Sequence, residues 1–233
     1  MTSRRQNRNV LSTVSNALLI LKSFTDEEPE QTVKSLSEKL NINKSVTSRL
    51  LSTLAKEGFI HKIPGTQRFR LGTSVLSLSY VITSTLELYK EAMPILEQLV
   101  QKTGETAHLA VLENFHTVYL CKVNCEHMVQ TMTHIGRQNP LHCTGTGKVL
   151  VAYAEEEILK EVIRRGLRPY TPKTITDPDQ FKAHLQKVRE AGYAIDVEEH
   201  APGVASVAAP VRDYTREVIA AVKGLVGLVV LLA

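Results

Sequence analysis

The chain lacks the marks of an enzyme, a secreted protein or a membrane protein. It has three cysteines among 233 residues, an odd number that fits a reducing cytoplasm better than a disulfide framework. No apolar run reaches the roughly 18 residues that a membrane-spanning helix needs. The leading MTSRRQNRN is polar and basic without an apolar centre, so it is no secretory signal and reads as a disordered basic arm over residues 1–9. No G-x-S-x-G elbow, dinucleotide fingerprint or H-E-x-x-H run occurs, and no nucleophile–base pair stands out. The expectation is a cytoplasmic protein that is not an enzyme and uses no cofactor. Internal repeats and low-complexity tracts are absent too.

Cys121, Cys125 and His127 form a C-x₃-C-x-H grouping to which His108, His134, His142 or Cys143 can in principle add a fourth ligand. The spacing matches no standard zinc finger and Cys121 falls in a strand-like run, so no metal is assigned.

Charge is present but unevenly spread. Residues 1–75 hold 12 Lys+Arg against 6 Asp+Glu, and the remainder 16 against 18. A basic head on a mildly acidic body points to nucleic-acid contact by the head alone.

That head contains VKSLSEKLNINKSVTSRLLSTLAKEGFIHKIPGTQRFR from Val33 to Arg70. Val33, Leu36 and Leu40 recur at helical spacing. Asn41-Ile42-Asn43 interrupts, and Asn43 suits the N-cap of a second helix. In that helix Val46, Leu50, Leu51 and Leu54 fill one sector of the wheel. Lys44, Ser45, Ser48, Arg49, Ser52 and Lys56 fill the opposite one. Most charged helix faces are merely solvated. This one holds three cations, several hydroxyls and no carboxylate, which suits phosphates and base edges. Thr47 is also a candidate contact, although it projects toward the apolar sector. Gly58 ends the helix. Phe59–Ile63 reads as a strand, Pro64-Gly65 as a turn and Gln67–Leu71 as a returning strand. The result is a winged helix-turn-helix with Lys62, Arg68 and Arg70 available for phosphates. An apolar helix, Val10 to Phe24, precedes it.

A helix from Ser74 to about Tyr89 follows as a linker, then another from Tyr89 to Lys102 with Pro94 near a bend or restart. Strands are expected at His108–Leu112, Thr117–Val123, Val129–His134, Tyr193–Val197, Ser206–Val211 and Val218–Val222. Helices are expected at Thr146–Tyr153, Glu155–Arg165 and Pro178–Ala191. Strands and helices mix without a βαβ rhythm, so this half is α+β. Thr144-Gly145-Thr146-Gly147 opens one of the helices. Its N–H groups and hydroxyls can hold a carboxylate, or its glycines can simply allow a tight entry into the helix. Glu198, Glu199 and His200 read as a solvated charged loop.

The order and wording of these segments resemble the IclR-type transcriptional regulators over nearly the whole chain. The resemblance rests on SNALLILKSF, NKSVTSRLLSTLAKEGFI and RFRLG in the head, and on PLHCTGTGKVLVAY and GYAIDVEEHAPGVASVAAPVRD in the body. It implies a winged helix-turn-helix domain over residues 10–72, a linker helix over 73–88 and a GAF-like α+β effector-binding and oligomerisation domain over 89–233. It also implies operator DNA as partner, a homodimer or dimer of dimers, and a small organic-acid effector: a carboxylate, an aromatic acid or a sugar acid. Thr144, Gly145, Thr146 and Gly147 fall where such an effector is held. Asp196 and Ser206 fall on the opposite side of the pocket, Ser206 standing where a cysteine is common. Asp196 can bond an effector hydroxyl or accept a backbone N–H in a turn.

One segment departs from the pattern. Lys223 to Ala233 reads KGLVGLVVLLA, without the pocket-facing serines and closing helix that the resemblance implies, and is read as an altered or truncated C-terminus. An alternative function follows from it: a constitutive DNA-binding regulator whose second domain serves only for oligomerisation.

Overall fold

The computed structural model describes residues 11–125 and 133–227. The basic arm, Val10, His127, most of the strand expected at Val129–His134 and the last six residues of the tail lie outside that range. The chain divides into two compact units between Thr85 and Leu86.

The first unit runs α1 (Ser12–Lys22), β1 (Gln31–Thr32), α2 (Val33–Leu40), α3 (Lys44–Lys56), β2 (Ile60–Lys62), β3 (Arg68–Leu71) and α4 (Ser74–Thr85). Its core is Ile20, Leu36, Leu50, Leu51 and Ile60, which joins α1, α2, α3 and β2. Both central helices start on side-chain caps. Thr32 and Ser35 cap α2 reciprocally, and the Asn43 carboxamide oxygen accepts the Ser45 N–H at 2.9 Å. Asn41, at φ 52°, ends α2 in the left-handed conformation. The strands form an antiparallel sheet in the order β1-β3-β2. β1 was not expected, because two residues carry no periodicity and their partners, Phe69 and Arg68, are distant in sequence. α4 is apolar yet buries none of its residues. It stops at Thr85, short of the expected Tyr89, and α5 starts afresh.

The second unit runs α5 (Glu87–Thr103), β4 (Ala107–Glu113), β5 (His116–Val123), β6 (Gln138–Asn139), α6 (Gly145–Tyr153), α7 (Glu156–Arg165), α8 (Pro178–Ala191), β7 (Ala194–Val197), β8 (Val204–Arg212) and β9 (Val218–Gly227). Pro94 lies within α5 rather than at a restart. The strands form one antiparallel sheet, β6-β5-β4-β9-β8-β7. β9 runs five residues beyond its expected end, so the first part of the divergent tail continues the sheet.

Alternation along the strands gives the sheet two unlike faces. Leu109, Cys121 and Ala220 pack with Ala92 and Leu96 of α5. The neighbouring residues Ala194, Ala208 and Ala221 pack with α6 and α8 through Val149, Val151, Phe181, Leu185 and Val188. α6 lies close to the sheet because small residues meet small residues there. A Cβ on Gly145 would stand 3.0 Å from Ser206 Oγ and 3.3 Å from Ala208 Cβ. On Gly147 it would stand 2.3 Å from the Leu141 carbonyl oxygen, a backbone atom with no freedom to retreat.

Gly147→Ala is therefore expected to destabilise the protein by about 1–3 kcal/mol through overpacking. Gly145→Ala should cost less, because its nearest neighbour is a rotatable hydroxyl. Urea unfolding of the second unit in the full-length protein measures both; an unchanged midpoint for Gly147→Ala would refute the packing argument.

Candidate functional site

Two groups of side chains carry chemistry, one in each unit. The first is the outer face of α3. Lys44, Ser45, Ser48, Arg49, Ser52 and Lys56 are exposed there, as the wheel predicts. Two neighbours correct the prediction. Thr47 is fully buried, and its hydroxyl donates back to the Asn43 carbonyl at 3.1 Å, so it cannot reach a base edge from this position. At about 100° per residue it turns inward with Leu50, Leu51 and Leu54. Val46, placed in the apolar sector by the wheel, is 38% exposed and shares the outer face. The Ser52 hydroxyl donates to the Ser48 carbonyl at 2.9 Å, which leaves Arg49 the most extended donor of this face.

On the wing, Lys62, Arg68 and Arg70 are all exposed. Arg68 also pairs with Glu30 at 3.2 Å, so part of its charge is already balanced.

The second group lines the α6 side of the larger sheet. Asp196 and Ser206 face each other across β7 and β8. One step along the same face, a cross-strand row runs His108, Lys223, Ala208 and Ala194. Tyr119 lies opposite Ala110, on the same side as His108. The structure thus brings Asp196 and Ser206 together and sets Gly145 against Ser206. Thr144 caps α6, accepting the Gly147 N–H at 3.2 Å and donating to the Pro140 carbonyl at 2.8 Å. Thr146 and Ser206 are fully buried, and their hydroxyls have no hydrogen-bond partner among the described residues. Such orphans are rare in a finished core and fit a site that awaits a polar ligand. Gly147 is turned toward Leu141 and serves the packing of the loop.

Both readings of Asp196 bear on its place. Its carboxylate accepts the Glu199 N–H at 3.0 Å, which is the turn role. Burial raises its pKa, while that N–H, the charges of Lys148 and Lys223 and the nearby Ser206 hydroxyl pull it back down. Glu199 corrects an expectation, because it is buried rather than solvated. It forms an ion pair with Lys148 of α6, whose ammonium also donates to the Ile195 carbonyl at 3.2 Å. Only the fold shows this pair, since its members are 51 residues apart.

Sequence reasoning assigned no role on this face to Lys223 or Tyr119, and named His108 only as a possible metal ligand. Lys223 is 6% exposed and donates to Tyr119 Oη at 2.9 Å. The signal available was a lone lysine in the apolar run VIAAVKGLVG.

A separate cleft of about 380 Å³ between α7 and β6, lined in part by Phe115, Asn139, Arg168 and Tyr170, contains none of the sequence-predicted residues. Cys121 and Cys143 are buried thiols whose pKa values burial pushes up to about 11 and about 12. No metal-binding cluster occurs among the described residues, and no helix there is long and apolar enough to cross a membrane.

Comparison with known proteins identifies both units. Residues 13–64 match the IclR helix-turn-helix domain, and residues 80–228 match the C-terminal domain of the bacterial transcriptional regulator IclR. The chain is 32% identical to the HTH-type transcriptional regulator XynR of Escherichia coli over 91% of its own length and 84% of that protein. The structure of an IclR transcriptional regulator from Alicyclobacillus acidocaldarius superposes with a TM-score of 0.86 at 30% identity, covering 95% of this chain and 90% of the other. An IclR homolog from Microbacterium hydrocarbonoxydans, solved in complex with 4-hydroxybenzoate, shares the fold with a TM-score of 0.82 at 24% identity, over 93% and 89% of the two chains. The winged helix-turn-helix with its cationic outer face and the α+β, GAF-like second unit are therefore the two parts of a non-enzymatic regulator, and the chain belongs to the IclR family of DNA-binding transcriptional regulators.

Proposed function

We propose that this regulator acts in the cytoplasm as a homodimer or dimer of dimers whose operator affinity changes when a small organic acid binds the second unit. In this reading residues 10–72 form the reading head, 73–88 the linker and 89–233 the effector and oligomerisation domain. Lys44, Ser45, Ser48, Arg49 and Ser52 face the major groove, and Lys62, Arg68 and Arg70 lie along flanking phosphates. The observation that carries the effector half is the buried, unpartnered Thr146 hydroxyl, with Ser206 and Asp196 paired on the sheet beside it. The 4-hydroxybenzoate bound by the Microbacterium homolog supports an acid as ligand.

Self-association draws support from apolar surface on the first unit. Leu11, Val14 and Leu18 of the α1 region are exposed, as are Leu76, Tyr80 and Val81 of α4. Stripes of this kind are unusual on a monomer and suit burial against a second copy. Control then works by population shift: an acid that prefers one dimer arrangement changes the spacing of the two reading heads.

Arg49→Ala is expected to weaken operator binding by about 10- to 100-fold, the equivalent of roughly 1–3 kcal/mol for a base contact. Ser52→Ala should do less, because its hydroxyl is already spent on the backbone. Fluorescence anisotropy with an operator recovered from a genome-wide binding map measures both, and full affinity in Arg49→Ala would remove this face from the groove.

Lys62→Ala should weaken all duplex sequences about equally and reduce the slope of log K against log salt by roughly 0.9 per lost phosphate contact. Arg68→Ala should change it less, since Glu30 competes for the charge. Equal slopes in the wild type and both variants would take the wing out of the interface.

Isothermal titration with pyruvate, lactate, benzoate and 4-hydroxybenzoate tests the effector half. At least one acid should bind and shift operator affinity; binding without that shift would favour the constitutive alternative, and no binding would remove the acid effector.

A further inference from the structure

We infer that Lys223, Tyr119 and His108 form an anion-binding corner on the sheet, and that the effector is a hydroxy acid whose carboxylate docks there rather than at the N-terminus of α6. This inference rests on the effector reading above and names the chemistry of that site.

Lys223 stands in an otherwise apolar strand, nearly enclosed by protein. Among the described residues it makes one hydrogen bond, to the Tyr119 hydroxyl at 2.9 Å, and no carboxylate comes within ion-pairing distance of it. An enclosed ammonium whose neighbouring carboxylate, Asp196, acts on it only from beyond ion-pair distance is costly, and an anion beside it relieves that cost. Lys148, on the helix above the same face, shows the contrast, because Glu199 answers its charge.

His108 lies directly opposite Lys223 in register, fully buried, with its ring 4.7 Å from that of Tyr119. Its Nε2 contacts the Thr133 hydroxyl at 2.8 Å, and its Nδ1 is buried without a partner. Burial first, and then the charges of Lys223 and Lys122, pull its pKa down to about 3, so the ring is neutral at physiological pH. The neutral ring carries one proton, and the tautomer in which the Thr133 hydroxyl donates to Nε2 makes Nδ1 a donor. Tyr119 accepts from Lys223 and keeps its own O–H to give. In that tautomer Lys223, Tyr119 and His108 set three donors on neighbouring positions of the sheet, a set that selects an acceptor-only group such as a carboxylate.

Ala208 and Ala194 continue the row from Lys223 with minimal side chains and are themselves packed against α6 and α8. Beside them are the Ser206 hydroxyl and the Asp196 carboxylate, which face each other across β7 and β8 and offer a ligand hydroxyl a donor and an acceptor. Lys223 and Asp196 are two strands apart and two residues offset in register, roughly 12 Å between backbones, a separation that suits a carboxylate and a hydroxyl at opposite ends of an aromatic frame rather than on one short chain. At the N-terminus of α6, Thr144 takes the Gly147 N–H, and the lysine of the first turn, Lys148, is already answered by Glu199.

Thermal melting and isothermal titration of full-length Lys223→Met with the same four acids test this. Methionine keeps the volume and removes the charge, so the ligand-free variant should melt higher than the wild type. Its affinity for any acid the wild type binds should drop by about 10- to 100-fold, the loss of a charge-assisted hydrogen bond. Tyr119→Phe, which keeps the ring, should lose affinity to a smaller degree. The methyl ester of a bound acid should not compete with it. Among the acids, 4-hydroxybenzoate should outbind benzoate. A lower ligand-free melting point for Lys223→Met, or equal acid affinity in Lys223→Met and the wild type, would overturn the corner and leave the acid-responsive regulator standing. Failure of every acid to bind the wild type would overturn both.

Discussion

The close seating of α6 on the six-stranded sheet is the constraint on which the second unit depends. It needs glycine at 145 and 147 and alanine at 194 and 208, because side chains of ordinary size would lift the helix off Leu141 and the sheet. Once seated, the helix carries Lys148 into a place closed to water, where Glu199 from the loop between β7 and β8 balances it. Removing either partner of such a pair typically costs about 3–5 kcal/mol, since the other is left charged and buried. The same seating presses Gly145 toward Ser206 and sets the face on which Asp196, Ser206, His108, Tyr119 and Lys223 gather.

The two units solve opposite electrostatic problems. In the head, cations remain on the outside of α3 and on the wing, where water screens them until phosphate replaces it. In the second unit, charges are enclosed, and each needs an answer from the protein or from a ligand. Lys148 has its answer in Glu199. Lys223 has the hydroxyl and ring of Tyr119 and the more distant charge of Asp196, but no ion pair, and that difference separates a structural cation from one that suits a ligand.

Much of the fold was legible because local patterns and tertiary burial agree. α2, α3, α8 and both wing strands lie within a residue or so of where spacing and capping residues place them. Asn43 caps α3 as its side chain suggests. β1 and β6 were not legible, since a two-residue strand exists only through its partner. The wheel misplaced Val46, because a helical projection cannot say how far around the helix the core reaches, while Thr47, which it turned toward the apolar sector, is buried. Glu199 looked like surface for a related reason: a carboxylate in a charged tripeptide gives no sign of a lysine 51 residues earlier.

By itself, the sequence determined the class of molecule: a basic winged reading head, an α+β body and the cationic, carboxylate-free outer face of α3. Periodicity, capping and net charge are local or additive, so they survive without knowledge of the fold. Tertiary structure alone decided which polar groups are enclosed and what stands opposite them. Lys223 in VIAAVKGLVG is one lysine in an apolar strand until register puts His108 across from it and Tyr119 within reach. A buried charge is defined by its surroundings, and those come from strands more than a hundred residues away in the chain.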